Sequence, residues 1–370
     1  MHIGVPKEIK IHEYRVGLTP SAVSELCRLG HQVSVETGAG AGIDMSDDDY
    51  RAAGANILTT AAEIFAKADM VVKVKEPQPV ECQMLRKGQI LFTYLHLAPD
   101  PEQTKLLMAS GASCIAYETV EDDKGRLPLL APMSEVAGRL SVQIGAHYLE
   151  KAQGGRGILL SGVAGVAPAT VVVLGAGVAG FNAMQLAVGL GTQVVVMDKS
   201  LARLREIDHI YHGRVITMHA TQNVIDHYVQ WADLVIGAVL VPGANAPKLV
   251  TREMLKKMKR GSVLVDIAID QGGCFETSRP TTHTDPVYEV DGVLHYCVTN
   301  MPGAVPRTST YALGSATMPY VIALAQNGLA ALKTDKGFMA GLNVHGGQIT
   351  CEAVARAQNL PFVTAQAAIG

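Results

Sequence analysis

Two spacings of apolar residues alternate along this chain. Apolar or β-branched runs of strand length fall at residues 2–6, 31–36, 69–75, 89–96 and 112–119. Segments of helical pattern separate them, near 47–53, near 60–67 and from about Pro101. Thr19-Pro20 reads as the N-cap and first residue of a helix reaching to about Leu29. A long helix over 134–153 leads to six further strands, at 170–174, 194–198, 215–218, 233–238, 262–267 and 294–298. Past Thr308 the pattern is mostly helical, with Pro319 expected to kink it. Strands alternating with helices predict an α/β chain with parallel sheets and right-handed crossovers.

From Gly157 to Met197 there is no charged residue, a run long enough to span a bilayer. Eight glycines and Pro168 interrupt it, and its apolar residues group in strand-length and helix-length blocks. It therefore reads as the buried centre of a parallel sheet. Within it, strand 170–174 runs into Gly175, Gly177 and Gly180, the spacing G-x-G-x-x-G, and a second β-branched run ends on Asp198. Gly175 permits the turn, Gly177 lets backbone approach a pyrophosphate, and Gly180 lets helix pack on strand. The helix start offers N–H groups to phosphate. Asp198 is placed to bind a ribose 2′-OH and to repel a 2′-phosphate, so NAD is expected over NADP; Lys199 and Arg203 soften that preference.

Six strands complete a dinucleotide-binding sheet. The helical tail lacks strands for a domain of its own and is expected to return to the first half. The expected organisation is two doubly wound, Rossmann-like domains. The first, discontinuous one is substrate-binding and catalytic (1–128 and 307–370), and the second binds NAD (129–306). The crossings at 128–133 and 301–306 are expected to act as a hinge.

With 370 residues the chain is long enough for two cores. A net charge of −3, with Lys and Arg dispersed, gives no electrostatic footprint for nucleic acid or an anionic membrane. Six scattered cysteines without metal-ligand spacing read as free thiols in a reducing cytoplasm. MHIGVPKEIK meets charge at once, unlike a secretory leader. No G-x-S-x-G, H-E-x-x-H or P-loop supports serine or zinc hydrolysis or phosphate transfer, and no metal is expected.

The halves echo each other. AKADMVVKVKEP resembles QWADLVIGAVLVP, and LRKGQILFTYLH resembles MKRGSVLVDIAID, which puts His96 and Asp270 at equivalent strand ends. In doubly wound sheets ligands bind beyond the carboxyl ends of strands, so two such domains facing across a cleft would aim these residues at one spot. Arg15 can hold a carboxylate bidentately, or be a solvated surface residue. Lys75, expected to share a strand face with Lys73, can serve a substrate or snorkel to solvent. His96 can give and take a proton near neutrality, or simply cap a helix. Asp270, before Gln271-Gly272-Gly273, can be a catalytic carboxylate or cap that turn.

GVPKEIKIHEYRVGLTP, VVKVKEP, ILFTYLHLA, LLAPMSEVAGR, the glycine fingerprint, GAVLVPGANAPKLV and VLVDIAIDQGGCFE together resemble the NAD-dependent alanine dehydrogenases of the alanine dehydrogenase/transhydrogenase family, over essentially the whole chain. The resemblance implies oxidative deamination of L-alanine to pyruvate and ammonium, and the reverse, in a cytoplasmic homo-hexamer. It implies Arg15 and Lys75 as substrate-binding residues, His96 and Asp270 as catalytic groups, and Asn300 beside the substrate. Around NAD it implies Ser134, Val178, Asp198, Arg203, Val239, Leu240, Ile267 and Met301. The chain departs from the family pattern at His12, Gly17 and Ala220, where Asn, Ala and Ser are usual. Two rivals are the nucleotide-binding subunit of a transhydrogenase, which needs a membrane partner, and a non-catalytic NAD-binding protein on the same fold.

Overall fold

The structure, a computed structural model, describes residues 1–239 and 246–370. The chain forms two compact units, Met1–Met133 with Val305–Gly370, and Ser134–Ala304.

In the second unit six strands run parallel: Thr170–Leu174, Gln193–Asp198, Val215–His219, Leu234–Gly237, Val263–Asp266 and Val293–Tyr296. Their spatial order is third, second, first, fourth, fifth, sixth, that of a doubly wound sheet. The central strands are buried along nearly their whole length, which explains their continuous β-branched runs. Val172, Leu174, Val195, Val235 and Leu264 share one apolar cluster. A seventh strand, Val287–Val290, which the pattern did not suggest, pairs antiparallel with the sixth at the sheet's edge. The uncharged run is not buried throughout: Leu159, Val163 and Val166, ahead of the first strand, are exposed.

The first unit repeats the same order with His2–Val5, Gln32–Glu36, Asn56–Leu58, Met70–Val72, Ile90–Thr93 and Ser113–Ala116. Helix Pro20–Arg28 begins on Thr19, whose side chain accepts the Ala22 N–H at 3.3 Å. The tail contributes more than helices. After helix Pro306–Asn327, with Pro319 inside it, strands Leu342–His345 and Gln348–Ile349 extend this sheet antiparallel beside Ser113–Ala116. The long helix that starts at Ala131 ends at Tyr148, and a separate short turn covers Lys151–Gln153. The chain is α/β, with two doubly wound Rossmann-like sheets, the first built from both ends of the sequence.

Candidate active-site residues

In the first unit the strand order reverses between His2–Val5 and Met70–Val72, so the segments leaving these two strands border the switch-point crevice. They are tied together closely. A Cβ on Gly17 would lie 2.5 Å from the Val72 carbonyl oxygen. Glu8 Oε1 accepts the backbone N–H groups of Val74 (2.7 Å) and Lys75 (3.4 Å), and its Oε2 lies 3.0 Å from Lys73 Nζ. Lys73 Nζ also donates to Glu81 Oε1 at 2.7 Å. Because the strand stops at Val72, Lys73 and Lys75 do not share a strand face. Lys73 is fully buried among carboxylates, whereas Lys75 is half-buried with its Nζ 3.8 Å from Glu76. Burial pushes the Glu8 carboxyl above its ordinary value, opposed by Lys73 and the Val74 N–H. Burial works against the Lys73 charge too, but Glu8 and Glu81 outweigh it and hold Lys73 above the usual lysine value.

Arg15 is not a surface residue. Its Nε donates to Glu13 Oε1 (2.6 Å), its Nη2 to Glu13 Oε2 (2.5 Å), and its Nη1 to Met133 Sδ (3.0 Å). Burial disfavours the charge, but the Glu13 hydrogen bonds and charge raise Arg15 above its ordinary value. His96 lies beyond its strand, which ends at Thr93, and takes the left-handed conformation at φ 50°. Its N–H and that of Leu95 donate to Glu118, its Nδ1 lies 3.9 Å from Glu118 Oε1, and its ring stacks on Tyr94.

In the second unit the three glycines occupy three distinct environments. Gly175 has φ 97°, and a Cβ there would lie 2.6 Å from the Ala238 oxygen. A Cβ on Gly180 would lie 1.8 Å from the Gly175 oxygen, whereas one on Gly177 would meet nothing within 4 Å. Gly177 caps helix Val178–Gly189. Asp198 accepts the backbone N–H groups of Ala176 and Ser200, each at 2.7 Å. Arg203 donates through Nε to the Ala176 oxygen (2.8 Å), and its guanidinium covers the Phe181 ring. An open, N–H-bearing helix start beside a strand-end carboxylate is a cradle for a dinucleotide.

Two families of known proteins match the chain: "Alanine dehydrogenase/PNT, N-terminal domain" over residues 4–137 and "Alanine dehydrogenase/PNT, C-terminal domain" over 141–352. The chain belongs to the alanine dehydrogenase/PNT family. It is 59% identical over 371 residues to an alanine dehydrogenase of Halomonas elongata, covering 100% of both chains. A solved L-alanine dehydrogenase structure superposes with a TM-score of 0.94 at 52% identity, over 97% of this chain and 99% of that one. A transhydrogenase structure from Sinorhizobium meliloti matches with a TM-score of 0.81 at 27% identity, over 95% of this chain and 100% of that one.

Asp270 does not close its strand, which ends at Asp266; it lies exposed on the turn Ile267–Gln271. The buried Asp266 carboxylate starts that turn by accepting the Ala268 N–H (3.1 Å), and it also accepts the Cys274 N–H (2.8 Å). Ile267 opens the same turn, and Val239 follows strand Leu234–Gly237, its Cγ2 3.0 Å from where a Gly175 Cβ would stand. Asn300 has φ 62°, and its carbonyl accepts from His283 Nε2 at 3.2 Å. Met301 is buried at the start of turn Met301–Ala304, and Ser134 is half-buried in helix Ala131–Tyr148. Leu240 lies outside the described residues. Sequence reasoning passed over the carboxylates that grip the candidate residues, namely Glu8, Glu13 and Glu118. The signal was present, since Glu8 and Glu13 sit in KEIKIHEYR ahead of a capped helix.

Proposed function

We propose that this chain catalyses NAD-dependent oxidative deamination of L-alanine and its reversal: L-alanine + NAD⁺ + H₂O ⇌ pyruvate + NH₄⁺ + NADH + H⁺. The observation that carries this reading is the 59% identity, over the whole of both chains, with a protein named alanine dehydrogenase. The 27% identity with the transhydrogenase structure makes that reading the weaker one.

The residues present fit NAD: open space above Gly177, a helix start behind it, and Asp198 held by two backbone N–H groups at the end of its strand. Gly175, Gly177, Val178, Gly180 and Asp198 would hold the dinucleotide, with Ser134, Arg203, Val239, Ile267 and Met301 as neighbours. NAD, when bound, supplies the hydride acceptor of deamination and, reduced, the hydride donor of amination.

Arg15 holds the carboxylate common to alanine and pyruvate, fixing which face of the reacting carbon is presented. Lys75 donates a hydrogen bond to the pyruvate carbonyl oxygen and stabilises charge that builds there. His96 takes a proton from attacking water and returns one as ammonia leaves, acting as general base and then general acid. Asp270 offsets the positive charge of the imine, and Asn300 is assigned to the substrate's surroundings.

The test is spectrophotometric. Reduction of NAD with L-alanine should far outpace that with other amino acids and should fall sharply when NADP replaces NAD. NAD reduction that requires NADPH and added membranes, and no amino acid, would assign the transhydrogenase reading instead.

A further inference from the structure

We propose that Glu76 is a positioning residue for Lys75: its carboxylate holds the Lys75 ammonium in place by charge without taking a hydrogen bond from it, leaving the ammonium donors for the carbonyl oxygen of pyruvate. This rests on the reading of Lys75 as a substrate-binding residue.

Two lysines in neighbouring positions are used differently. Lys73 spends two of its N–H donors on carboxylates, Glu8 Oε2 at 3.0 Å and Glu81 Oε1 at 2.7 Å. Among the described residues the Lys75 ammonium makes no hydrogen bond, and its ion-pair partner is Glu76, whose Oε2 lies 3.8 Å away. That distance is beyond hydrogen-bond reach, but both side chains are only 13% exposed, so the attraction is weakly screened. The Lys75 backbone is pinned on both sides: its N–H lies 3.4 Å from Glu8 Oε1, and Thr93 Oγ1 donates to its carbonyl at 2.9 Å. What remains to be set is the course of the flexible four-carbon stem.

Glu76 is suited to set it. The chain bends at Val74 and Lys75, which lets the adjacent side chains of Lys75 and Glu76 approach as they would not in an extended strand. Glu76 Oε1 accepts from Lys10 Nζ, which anchors the carboxylate. Its Oε2 is buried with no hydrogen-bond partner among the described residues. A buried carboxylate oxygen without a donor is costly unless a charge faces it, and Lys75 supplies that charge. Burial disfavours the Glu76 charge, but Lys75 and Lys10 outweigh it and hold the carboxyl below its ordinary value.

The experiment is steady-state kinetics of pyruvate amination by Glu76→Gln, Glu76→Asp, Lys75→Ala and the double variant Lys75→Ala/Glu76→Gln, with enough enzyme to keep slow variants measurable. Glu76→Gln keeps the shape of the side chain and removes its charge. It should lower kcat/KM for pyruvate by about tenfold, since the ammonium can then swing away from the carbonyl oxygen. The NADH KM should stay within about twofold, a split that general unfolding does not produce. With Lys75→Ala in place, Glu76→Gln should lower kcat/KM no further, since its effect passes through Lys75. Glu76→Asp keeps the charge but draws it back, and should fall between wild type and Glu76→Gln.

A rise in the NADH KM that matches the loss for pyruvate, or effects of Glu76→Gln and Lys75→Ala that multiply, would overturn the proposal. If Lys75→Ala leaves kcat/KM for pyruvate unchanged, the reading of Lys75 itself fails and takes the proposal with it. If Lys75→Ala lowers it and Glu76→Gln does not, the proposal alone fails. Should Glu76→Gln not fold, Glu76→Asp decides: an unchanged kcat/KM for pyruvate in that variant overturns the proposal.

Discussion

The Lys73 ammonium lies 3.0 Å from Glu8 Oε2, with both side chains buried, and Glu81 closes on it from another side at 2.7 Å. One cation thus holds two carboxylates away from water, at the point where the segment carrying Lys75 leaves its strand. Tyr117 Oη donates to the Lys73 carbonyl and Thr93 Oγ1 to the Lys75 carbonyl, each at 2.9 Å, so the same backbone is gripped through its carbonyls as well. Lys73→Met would leave Glu8 and Glu81 facing each other without a counter-charge. Breaking a buried ion cluster in this way costs about 3–5 kcal/mol, measurable by urea unfolding at pH 7. The deficit relative to wild type should shrink as pH falls, because protonating Glu8, whose carboxyl burial already pushes up, removes one of the stranded charges. A loss below about 1 kcal/mol would show that the cluster contributes little.

Gly177 and Gly180 sit three residues apart in one turn of chain but should respond oppositely to the same substitution. A methyl at Gly177 meets nothing within 4 Å, so Gly177→Ala should leave the thermal midpoint unchanged while weakening NAD binding by filling space the pyrophosphate needs. A methyl at Gly180 would sit 1.8 Å from a backbone oxygen that cannot move without its strand. Gly180→Ala should therefore destabilise the fold by about 1–3 kcal/mol, with NAD binding falling as a consequence. Isothermal titration with NAD beside thermal unfolding separates the two, and a destabilised Gly177→Ala would contradict the assignment.

The central parallel strands were legible because burial on both faces writes them as unbroken β-branched runs, and Thr170–Leu174 shows this to the residue, whereas the short, partly exposed parallel edge strand Asn56–Leu58 went unread. The antiparallel strands went unread although their turns were visible. Val287–Val290 and Val293–Tyr296 are joined by Asp291-Gly292, both with positive φ, the two-residue hairpin signal. Gly346-Gly347 likewise joins Leu342–His345 to Gln348–Ile349, within a stretch whose pattern reads as mostly helical. These edge strands are short and partly polar, so periodicity gave them little weight. Among the candidate residues, fingerprint and charge type named the groups, but not their surroundings. That Lys73 turns inward while Lys75 does not depends on where a strand stops. Strand ends are set by tertiary contacts, here Glu8 reaching the Val74 N–H, and no local pattern encodes them.

Asp198 accepts two backbone N–H groups, so its substitution has two separable consequences. Asp198→Asn keeps one acceptor oxygen but removes the charge, and should raise affinity for NADP relative to NAD by lifting repulsion of the 2′-phosphate. Asp198→Ala also releases the Ala176 N–H at the fingerprint turn, and should weaken both nucleotides. Dissociation constants for NAD and NADP with each variant, read by fluorescence quenching, provide the check. An unchanged NAD/NADP preference in Asp198→Asn would remove Asp198 from cofactor discrimination.

His295, within strand Val293–Tyr296, is the group that should govern acid sensitivity in the second unit. Its Nδ1 lies 3.0 Å from the Val293 carbonyl, which can only accept, so Nδ1 carries the proton. Nε2, 2.8 Å from Thr277 Oγ1, is then the acceptor, and the imidazole is neutral. Burial lowers its pKa to about 4, with Arg279 acting in the same direction and the Val293 hydrogen bond and Asp291 opposing. In the unfolded chain the same ring titrates near its ordinary value of 6.5. Between these values the unfolded state binds more protons, so stability contributed above pH 6.5 is lost as pH falls toward 4. From that shift the loss amounts to about 3 kcal/mol at most. His295→Asn removes the titrating group and should flatten this part of the pH profile, even if the variant is less stable throughout. The comparison is therefore the difference in urea midpoint between pH 7 and pH 4.5, wild type against variant. Equal differences in the two proteins would place the acid-sensitive group elsewhere.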